Sequence, residues 1–183
     1  SPYGCAKVFA YNIARNYRNS YNMFISNGIL FNHESPRRGS NFVTSKIVKG
    51  AVAIKKGKQK YLSLGNLNAT RDWGHAKDYV KAMWMMLQQE TPDDFVCSTG
   101  TSNSVRDCVQ YVFSKLDLEV AKHVRVDTKY FRPEELKDLR GDSTKLRSHL
   151  GWSPDYTFQS LLDEMIEHEY TGSHVDVPYD AVR

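Results

Sequence analysis

Apolar residues recur along the chain at spacings of three and four, which is the pattern of amphipathic helices. The pattern is clearest over residues 76–87, where one apolar stripe is expected to face the core. That stripe consists of Tyr79, Val80, Met83, Trp84 and Leu87. Further helices are predicted over residues 3–17, 42–56, 104–116, 142–150 and 158–170. Ser104 is expected to cap the helix over 104–116.

Short apolar runs separate these helices and predict buried strands. The runs lie within residues 23–31, 61–64, 95–97 and 123–126. The polar stretches over residues 32–40 and 66–74 predict loops, because they lack apolar alternation and contain turn-forming residues. Since strands and helices alternate, the sequence predicts an α/β fold with parallel strands.

The composition is that of an ordinary globular protein, with 40% hydrophobic and 25% charged residues among 183. The net charge of +4 is spread along the chain, and no apolar segment approaches the ~18 residues of a membrane span. We therefore expect neither nucleic acid nor a membrane as a partner. The spacing of Cys5, Cys97 and Cys108 is typical of free thiols and predicts a cytoplasmic location. The scattered histidines predict no metal site.

None of the eleven glycines falls in a G-x-G-x-x-G or G-x-x-x-x-G-K pattern. An α/β nucleotide-binding fold normally holds phosphates on such a turn, where backbone N–H groups and a helix N-terminus face the negative charge. If the chain derives from a dinucleotide-binding enzyme, we expect the glycine-rich, cofactor-binding half to lie upstream of Ser1.

Tyr3 and Lys7 lie four residues apart on a predicted helix and should share one face. A lysine ammonium beside a phenol favours the ionised phenol, which can exchange a proton with a sugar hydroxyl. The spacing alone is weak evidence, because Tyr111 and Lys115 repeat it late in another helix. We interpret that second pair as structural.

Three arginines are candidates for binding an anion. Arg71 follows a predicted strand and loop, so its guanidinium can either bind phosphate oxygens bidentately or form a salt bridge with Asp72 or Asp78. Arg37 and Arg38 lie in a predicted loop, where adjacent positive charges need either an anion or solvent. Both alternatives remain open from the residues alone.

Several blocks of the sequence resemble one family, the GDP-mannose 4,6-dehydratases, which are extended short-chain dehydrogenases. The blocks are 1–7, 32–39 with 41–44, 63–67 with 71–80, and 130–133 with 135 and 141–142. The resemblance covers residues 1–170 and is followed by a polar tail over 171–183. It implies the C-terminal part of an NAD(P)-binding Rossmann-type fold, intermixed with a small subdomain that binds the nucleotide sugar.

The resemblance also implies a reaction, a cofactor and a set of site residues. The reaction converts GDP-mannose to GDP-4-keto-6-deoxymannose and water, with NADP regenerated in each turnover; Tyr3 would remove the 4-hydroxyl proton and Lys7 would bind the nicotinamide ribose. The implied cofactor-binding residues are Tyr3, Lys7, Asn32, His33, Arg37 and Arg38. The implied substrate-binding residues are Asn32, Asn41, Val43, Lys46, Gly65, Arg71, Arg132 and Glu135. The loop of Arg37 and Arg38 implies a homodimer or homotetramer.

Two departures from the family pattern are Ser45, where a basic residue is usual, and a shortened segment over 118–127. Three alternatives stay open. The chain can belong to a sibling nucleotide-sugar epimerase or dehydratase, although the blocks at 32–39 and 71–74 argue against the UDP-sugar group. It can also be a non-catalytic module that binds a nucleotide sugar or a partner subunit. A nucleic-acid binder is the third alternative and rests only on the mild positive charge.

Overall fold

A computed structural model of the chain describes residues 1–131 and 138–172. The chain forms two compact units that alternate along the sequence. Unit 1 comprises Ser1–His33, Arg71–Ser102 and Asp138–Thr157, and unit 2 comprises Glu34–Thr70, Asn103–Lys137 and Phe158–Arg183. The predicted tail from residue 173 onward, like Arg132 and Glu135, lies outside the described residues.

Short strands and longer helices alternate along the described chain. In order, the elements are α1 (Pro2–Tyr21), β1 (Gly28–Leu30), β2 (Asn32–Glu34), α2 (Val43–Lys55), β3 (Leu62–Leu64), β4 (Thr70–Arg71), β5 (Trp73–His75), α3 (Ala76–Leu87), β6 (Phe95–Cys97), β7 (Asn103–Ser104), α4 (Val105–Lys115), α5 (Val120–His123), β8 (Val124–Val126), a 3-10 turn (Thr128–Tyr130), α6 (Thr144–Leu150) and α7 (Phe158–Thr171).

The predicted helices are confirmed, and α3 has the predicted bounds. Each predicted strand region contains a strand, but only the last part of the 23–31 run is one. The two predicted loops were wrong in part, because 32–40 contains β2 and 66–74 contains β4 and most of β5. These strands consist largely of polar residues, so they carry no hydrophobic alternation that would reveal them.

One strand pair in each unit is parallel, as the sequence predicts for an α/β fold. In unit 1, β1 pairs with β6, and the pairing continues at both ends through Phe95 N to Asn27 O and Phe31 N to Cys97 O. In unit 2, β3 pairs with β8 with Leu62 opposite Val124. Parallel pairing requires a crossover connection, which here includes helices in both units.

The core of unit 1 forms where α3 packs against β6 and α6. Its members are Tyr79, Ala82, Met86, Phe95, Cys97, Leu146 and Trp152. The Trp152 ring meets Tyr79 edge to face at 6.5 Å, and its Nε1 donates to the Asp78 carbonyl. The buried Asp78 carboxylate accepts from the backbone N–H groups of Asp155 and Tyr156.

The predicted core stripe of α3 was wrong in four of its five positions. Tyr79 is buried, but the remaining four side chains are 40–63% exposed. These four are Val80, Met83, Trp84 and Leu87. The buried positions are instead Asp78, Tyr79, Ala82 and Met86. On this face the Asp78 carboxylate accepts from two backbone N–H groups, and Ala82 and Met86 lie on the same face as Asp78.

Unit 2 has a helical core in which α2, α4 and α7 pack against one another. Each helix contributes fully or almost fully buried apolar residues, such as Ile47, Phe113 and Leu161. Helix α2 also packs closely on β3, because a Cβ at Gly50 would lie 2.7 Å from the Leu62 side chain. The predicted cap of α4 is confirmed, since Ser104 Oγ accepts from Asp107 N at 3.0 Å.

Helix α1 buries none of its residues within the chain. It is attached near its C-terminal end by Arg18, whose guanidinium donates to both Asp94 carboxylate oxygens at 2.7 and 3.1 Å. Asp94 also accepts from the backbone and side-chain N–H groups of Asn27. Burial by itself would raise the pKa of Asp94, but the hydrogen bonds from Arg18 and Asn27 outweigh it and lower the pKa to about 2.

No helix among the described residues is long and apolar enough to cross a membrane. All three cysteines are free thiols, of which Cys97 and Cys108 are buried. Burial, together with the carboxylates of Asp78 and Asp72, raises the pKa of Cys97 to about 12. These buried thiols are therefore inert as nucleophiles near neutral pH.

We expect Asp94→Asn to lower the free energy of unfolding and to change its pH dependence. The carboxylate has a lower pKa in the folded than in the unfolded protein, so its contribution is present above about pH 4 and is lost as the pH falls toward 2. That contribution is roughly 2 kcal/mol. Urea unfolding between these pH values should show a steeper loss in the original chain than in the variant.

The matched control is Asp155→Asn, which removes a carboxylate paired with Lys81 at 3.0 Å where both side chains are at least half exposed. This change should stay within about 0.5 kcal/mol at every pH. Equal pH slopes for the original chain and Asp94→Asn would contradict the prediction.

Candidate active site

Tyr3 and Lys7 lie in the first two turns of α1, which begins with Ser1 as its cap. The Lys7 ammonium lies over the Tyr3 ring, 5.6 Å from its centroid. The Tyr3 side chain is 72% exposed, so the phenol is open to a ligand. The predicted shared face is confirmed, and the catalytic role of the pair stays a prediction.

The second pair with the same spacing, Tyr111 and Lys115, lies in a different environment. The Tyr111 hydroxyl donates to Asp163 at 2.9 Å, and Lys115 pairs with the same carboxylate at 3.1 Å. Burial and the hydrogen bond to Asp163 raise the pKa of Tyr111. A neighbouring carboxylate opposes formation of a phenolate, so the pair serves to connect α4 to α7.

Asn32 and His33, two predicted cofactor-binding residues of unit 1, lie in β2 directly after the parallel strand β1. Both are partly buried. One ring nitrogen of His33, Nδ1, is hydrogen-bonded to the Phe31 carbonyl at 2.9 Å, and the ring lies 5.1 Å from that of Tyr79. These two contacts fix the orientation of the imidazole ring.

Arg38 is held in unit 2 by a buried acidic residue. Its Nε lies 3.0 Å from the Glu34 carboxylate, and its guanidinium stacks on the Phe42 ring at 3.4 Å. The Nε contact is an ion pair and not a well-directed hydrogen bond. Glu34 also accepts from the Thr44 hydroxyl at 2.5 Å. Much of the charge of Arg38 is therefore compensated within the chain.

Arg37 differs from its neighbour, because its side chain is exposed and the described contacts include no ion pair for it. The segment around it is a hydrogen-bonded turn in which Arg38 N donates to Ser35 O. Ser45, the residue that departs from the family pattern, is 2% exposed and donates its hydroxyl to the Arg38 carbonyl at 3.0 Å. The serine thus fastens the turn to α2.

Four predicted substrate-binding residues belong to unit 2. Asn41 precedes α2, and Val43 is its first residue. Lys46 on the next turn places its ammonium 3.9 Å from the centroid of the Tyr130 ring. Gly65 also lies against Tyr130, whose carbonyl oxygen would be 2.7 Å from a Cβ at that position. The structure therefore brings Lys46 and Gly65 together at Tyr130.

Arg71 of unit 1 ends β4 and is partly buried. The next residue, Asp72, is completely buried. Its carboxylate accepts from Thr99 N and Oγ1 at 2.9 and 2.6 Å, from Gly100 N at 2.9 Å and from Gly141 N at 3.2 Å. The hydrogen bonds described for Asp72 and Asp78 come from other residues, and the two alternatives for Arg71, a phosphate ligand or a salt bridge, stay predictions.

Sequence reasoning missed the hydrogen-bonded roles of Asp72 and Glu34. Each accepts from residues that the spacing cannot reveal, since Thr99 lies 27 positions from Asp72 and Thr44 lies ten from Glu34. For Asp72, the one available signal was its position directly after Arg71, a predicted ligand-binding arginine. Among the described residues, no group of three or more metal-ligating side chains comes together.

Solved structures show which fold this chain has. One is RMD from Pseudomonas aeruginosa complexed with NADPH, which matches with a TM-score of 0.83 and 18% identity over 93% of this chain and 56% of that one. Another is dTDP-glucose 4,6-dehydratase from Bacillus anthracis in complex with NAD, with a TM-score of 0.81 and 21% identity over 94% of this chain and 52% of that one. The fold is the C-terminal part of an extended short-chain dehydrogenase of the Rossmann type.

The sequence defines the family more narrowly. A profile of the family described as GDP-mannose 4,6 dehydratase matches residues 1–165. The human GDP-mannose 4,6 dehydratase is 50% identical over 91% of this chain and 49% of its own length, and the Vibrio cholerae enzyme is 44% identical over 91% and 52%. The chain belongs to the GDP-mannose 4,6-dehydratase family. It spans about half the length of the curated relatives it matches.

We expect Glu34→Gln to destabilise unit 2, because the Arg38 guanidinium would lose its anionic partner while its surroundings stay largely buried. Hydrogen bonds to charged groups contribute about 1.5–3 kcal/mol, and a loss in that range should appear in urea unfolding. The control Glu119→Gln affects an exposed pair with Lys122 and should change stability by less than about 0.5 kcal/mol. Equal losses of stability for the two substitutions would show that the buried Glu34–Arg38 pair contributes no more than an exposed pair.

Proposed function

We propose that this chain is the proton-transfer and nucleotide-sugar-binding part of a GDP-mannose 4,6-dehydratase. The proposed reaction converts GDP-mannose to GDP-4-keto-6-deoxymannose and water. The observation that carries the proposal is the contact between Tyr3 and Lys7 on an exposed helix face, in a chain that belongs to this family. In the competing pair, the Tyr111 hydroxyl donates a hydrogen bond to the Asp163 carboxylate. The contacts described for Tyr3 include no carboxylate.

In this proposal, Tyr3 takes the proton of the sugar 4-hydroxyl while C4 is oxidised to a carbonyl. The Lys7 ammonium stabilises the phenolate that accepts this proton. The new carbonyl acidifies the hydrogen at C5, so that water can leave across C5 and C6 before C6 is reduced. Oxidation at C4 and reduction at C6 balance, and the overall change is the loss of one water.

The nicotinamide cofactor, NADP in this proposal, supplies the acceptor and donor of the hydride when it is bound. The structural relative from Pseudomonas aeruginosa carries NADPH, whereas that from Bacillus anthracis carries NAD. The residues present fit such a group in part. Lys7 and His33 carry polar groups, and Arg37 is an exposed cation. Arg38 contributes less charge, because Glu34 compensates it.

Each unit contributes residues to the proposed binding of the nucleotide sugar. Arg71 of unit 1 would bind the diphosphate, since a guanidinium can donate two parallel hydrogen bonds to phosphate oxygens. In unit 2, the surface formed by Lys46, Gly65 and Tyr130 would contact the nucleotide, and the absence of a side chain at Gly65 lets the Tyr130 backbone lie close to it. Asn32, Asn41, Val43, Arg132 and Glu135 complete the proposed set.

The proposal also includes self-association and a cytoplasmic location. An exposed Arg37 in an ordered turn is suited to bind an anion presented by a second copy of the protein. Three free thiols, without a disulfide, are consistent with a reducing compartment.

Replacing Tyr3 with Phe keeps the ring and its contact with Lys7 but removes the hydroxyl. In an enzyme that joins this chain to the amino-terminal half of a family member, we expect kcat for GDP-mannose dehydration to fall about 100-fold or more. KM should change little, because the lost group acts on the transition state and contributes little to binding the ground state. Turnover of GDP-mannose is measured by chromatography of the keto product.

The matched control is Tyr111→Phe, which removes the hydroxyl of the other pair and its bond to Asp163. This variant should keep kcat within about twofold while losing about 1 kcal/mol of stability. Near-normal turnover by Tyr3→Phe would exclude Tyr3 as the proton acceptor.

Arg71→Ala should weaken binding of GDP by this chain about tenfold or more, as measured by isothermal titration calorimetry. The control is Arg106→Ala, an exposed arginine of unit 2 that donates to the Asn68 side chain. It should bind GDP as tightly as the unsubstituted chain. If Arg71→Ala also binds GDP with undiminished affinity, the assignment of Arg71 to the diphosphate is wrong.

A further inference from the structure

The carboxylate and the backbone N–H of Asp72 are all hydrogen-bonded within unit 1. Besides the four hydrogen bonds that its carboxylate accepts, its backbone N–H donates to the Leu139 carbonyl at 2.9 Å. These bonds join three chain segments, namely 71–73, 98–100 and 139–141. Since burying an unpaired carboxylate would be very costly, the set of donors and the charge depend on each other.

The segment that supplies most of these donors is itself fixed from its other side. Arg147 Nη2 donates to the Thr99 carbonyl at 2.8 Å, and Ser143 Oγ donates to the Ser98 carbonyl at 2.9 Å. Arg147 Nε in turn donates to Ser143 Oγ. At Gly141 there is no room for a side chain, because a Cβ would lie 2.3 Å from that of Ser98. The donors are therefore rigid before any ligand binds.

We propose that Asp72 is a positioning residue for Arg71, which rests on the proposed function of Arg71 in binding a nucleoside diphosphate. Successive side chains of an extended chain point to opposite sides. An inward, fully bonded Asp72 therefore fixes the backbone from which Arg71 extends in the other direction. A guanidinium that is held in place before binding loses less conformational entropy when it takes up the phosphate oxygens.

The substitution Asp72→Asn tests this proposal with little change in shape. At least one of the four donors would then face an amide N–H₂ group, so the backbone at residues 71 and 72 should shift. In isothermal titration of this chain with GDP, the dissociation constant should rise about tenfold. The control Asp78→Asn is chemically identical and also removes a buried carboxylate that accepts two backbone N–H groups. It should lower stability but leave the dissociation constant within about twofold.

A double-mutant cycle separates positioning from general destabilisation. If Asp72 acts through Arg71, Asp72→Asn should weaken GDP binding no further in a chain that already carries Arg71→Ala. Additive losses, or equal losses for Asp72→Asn and Asp78→Asn, would overturn the proposal. Where Asp72→Asn does not fold, Thr99→Val removes one hydroxyl donor to Asp72 and should raise the dissociation constant by a smaller factor, severalfold, in the same cycle. An unchanged constant for Thr99→Val would also overturn it.

GDP titrations distinguish a failure of the proposed function from a failure of the role of Asp72. If the unsubstituted, folded chain does not bind GDP, both the proposed function and the role of Asp72 are overturned. If it binds GDP and Arg71→Ala weakens the binding while Asp72→Asn does not, only the role of Asp72 is overturned.

Discussion

A buried carboxylate must receive hydrogen bonds or a cation, and this constraint fixes the polar segments of both units. Asp72 and Asp78 in unit 1 accept mainly backbone N–H groups, whereas Glu34 in unit 2 combines an arginine with a threonine hydroxyl. Removing the donors would leave a charge in a region of low polarity at a cost of several kcal/mol. The apolar cores stabilise the packing of the helices, whereas these carboxylates fix the backbone of the polar segments between the helices.

The need to satisfy a buried carboxylate also bears on the face of α3 that hydrophobic periodicity predicted wrongly. The apolar spacing predicted α3 with its correct bounds, yet it chose a face that is mostly exposed. Amphipathic averaging ranks an aspartate as an outward residue, but Asp78 is 2% exposed because two backbone N–H groups and the Trp152 contact lie on its side. A rule that uses only residue polarity does not anticipate a buried aspartate whose carboxylate is hydrogen-bonded by the backbone.

Most of the fold could be predicted from the sequence, and less of the site. Helices, parallel strands and the Ser104 cap follow from local patterns, since propensity and periodicity act within a few residues. The polar strands β2, β4 and β5 could not be predicted from local patterns, because their pairing depends on distant segments. The compensation of Arg38 by Glu34 was also hidden, although the two lie only four residues apart. The sequence showed the two charges but not that Glu34 is buried and contacts both Arg38 and Thr44.

The two Tyr-x-x-x-Lys pairs show why a motif gains meaning only from its surroundings. Spacing places a lysine beside a tyrosine in both, as the ammonium–ring distances of 5.6 and 5.3 Å confirm. In the second pair, the Tyr111 hydroxyl donates a hydrogen bond to Asp163. Burial and this hydrogen bond raise the pKa of Tyr111. A phenol with that partner cannot readily give up its proton to serve as a base. The contact with Asp163, which lies 52 residues after Tyr111 in the sequence, therefore distinguishes the structural pair from the candidate catalytic pair.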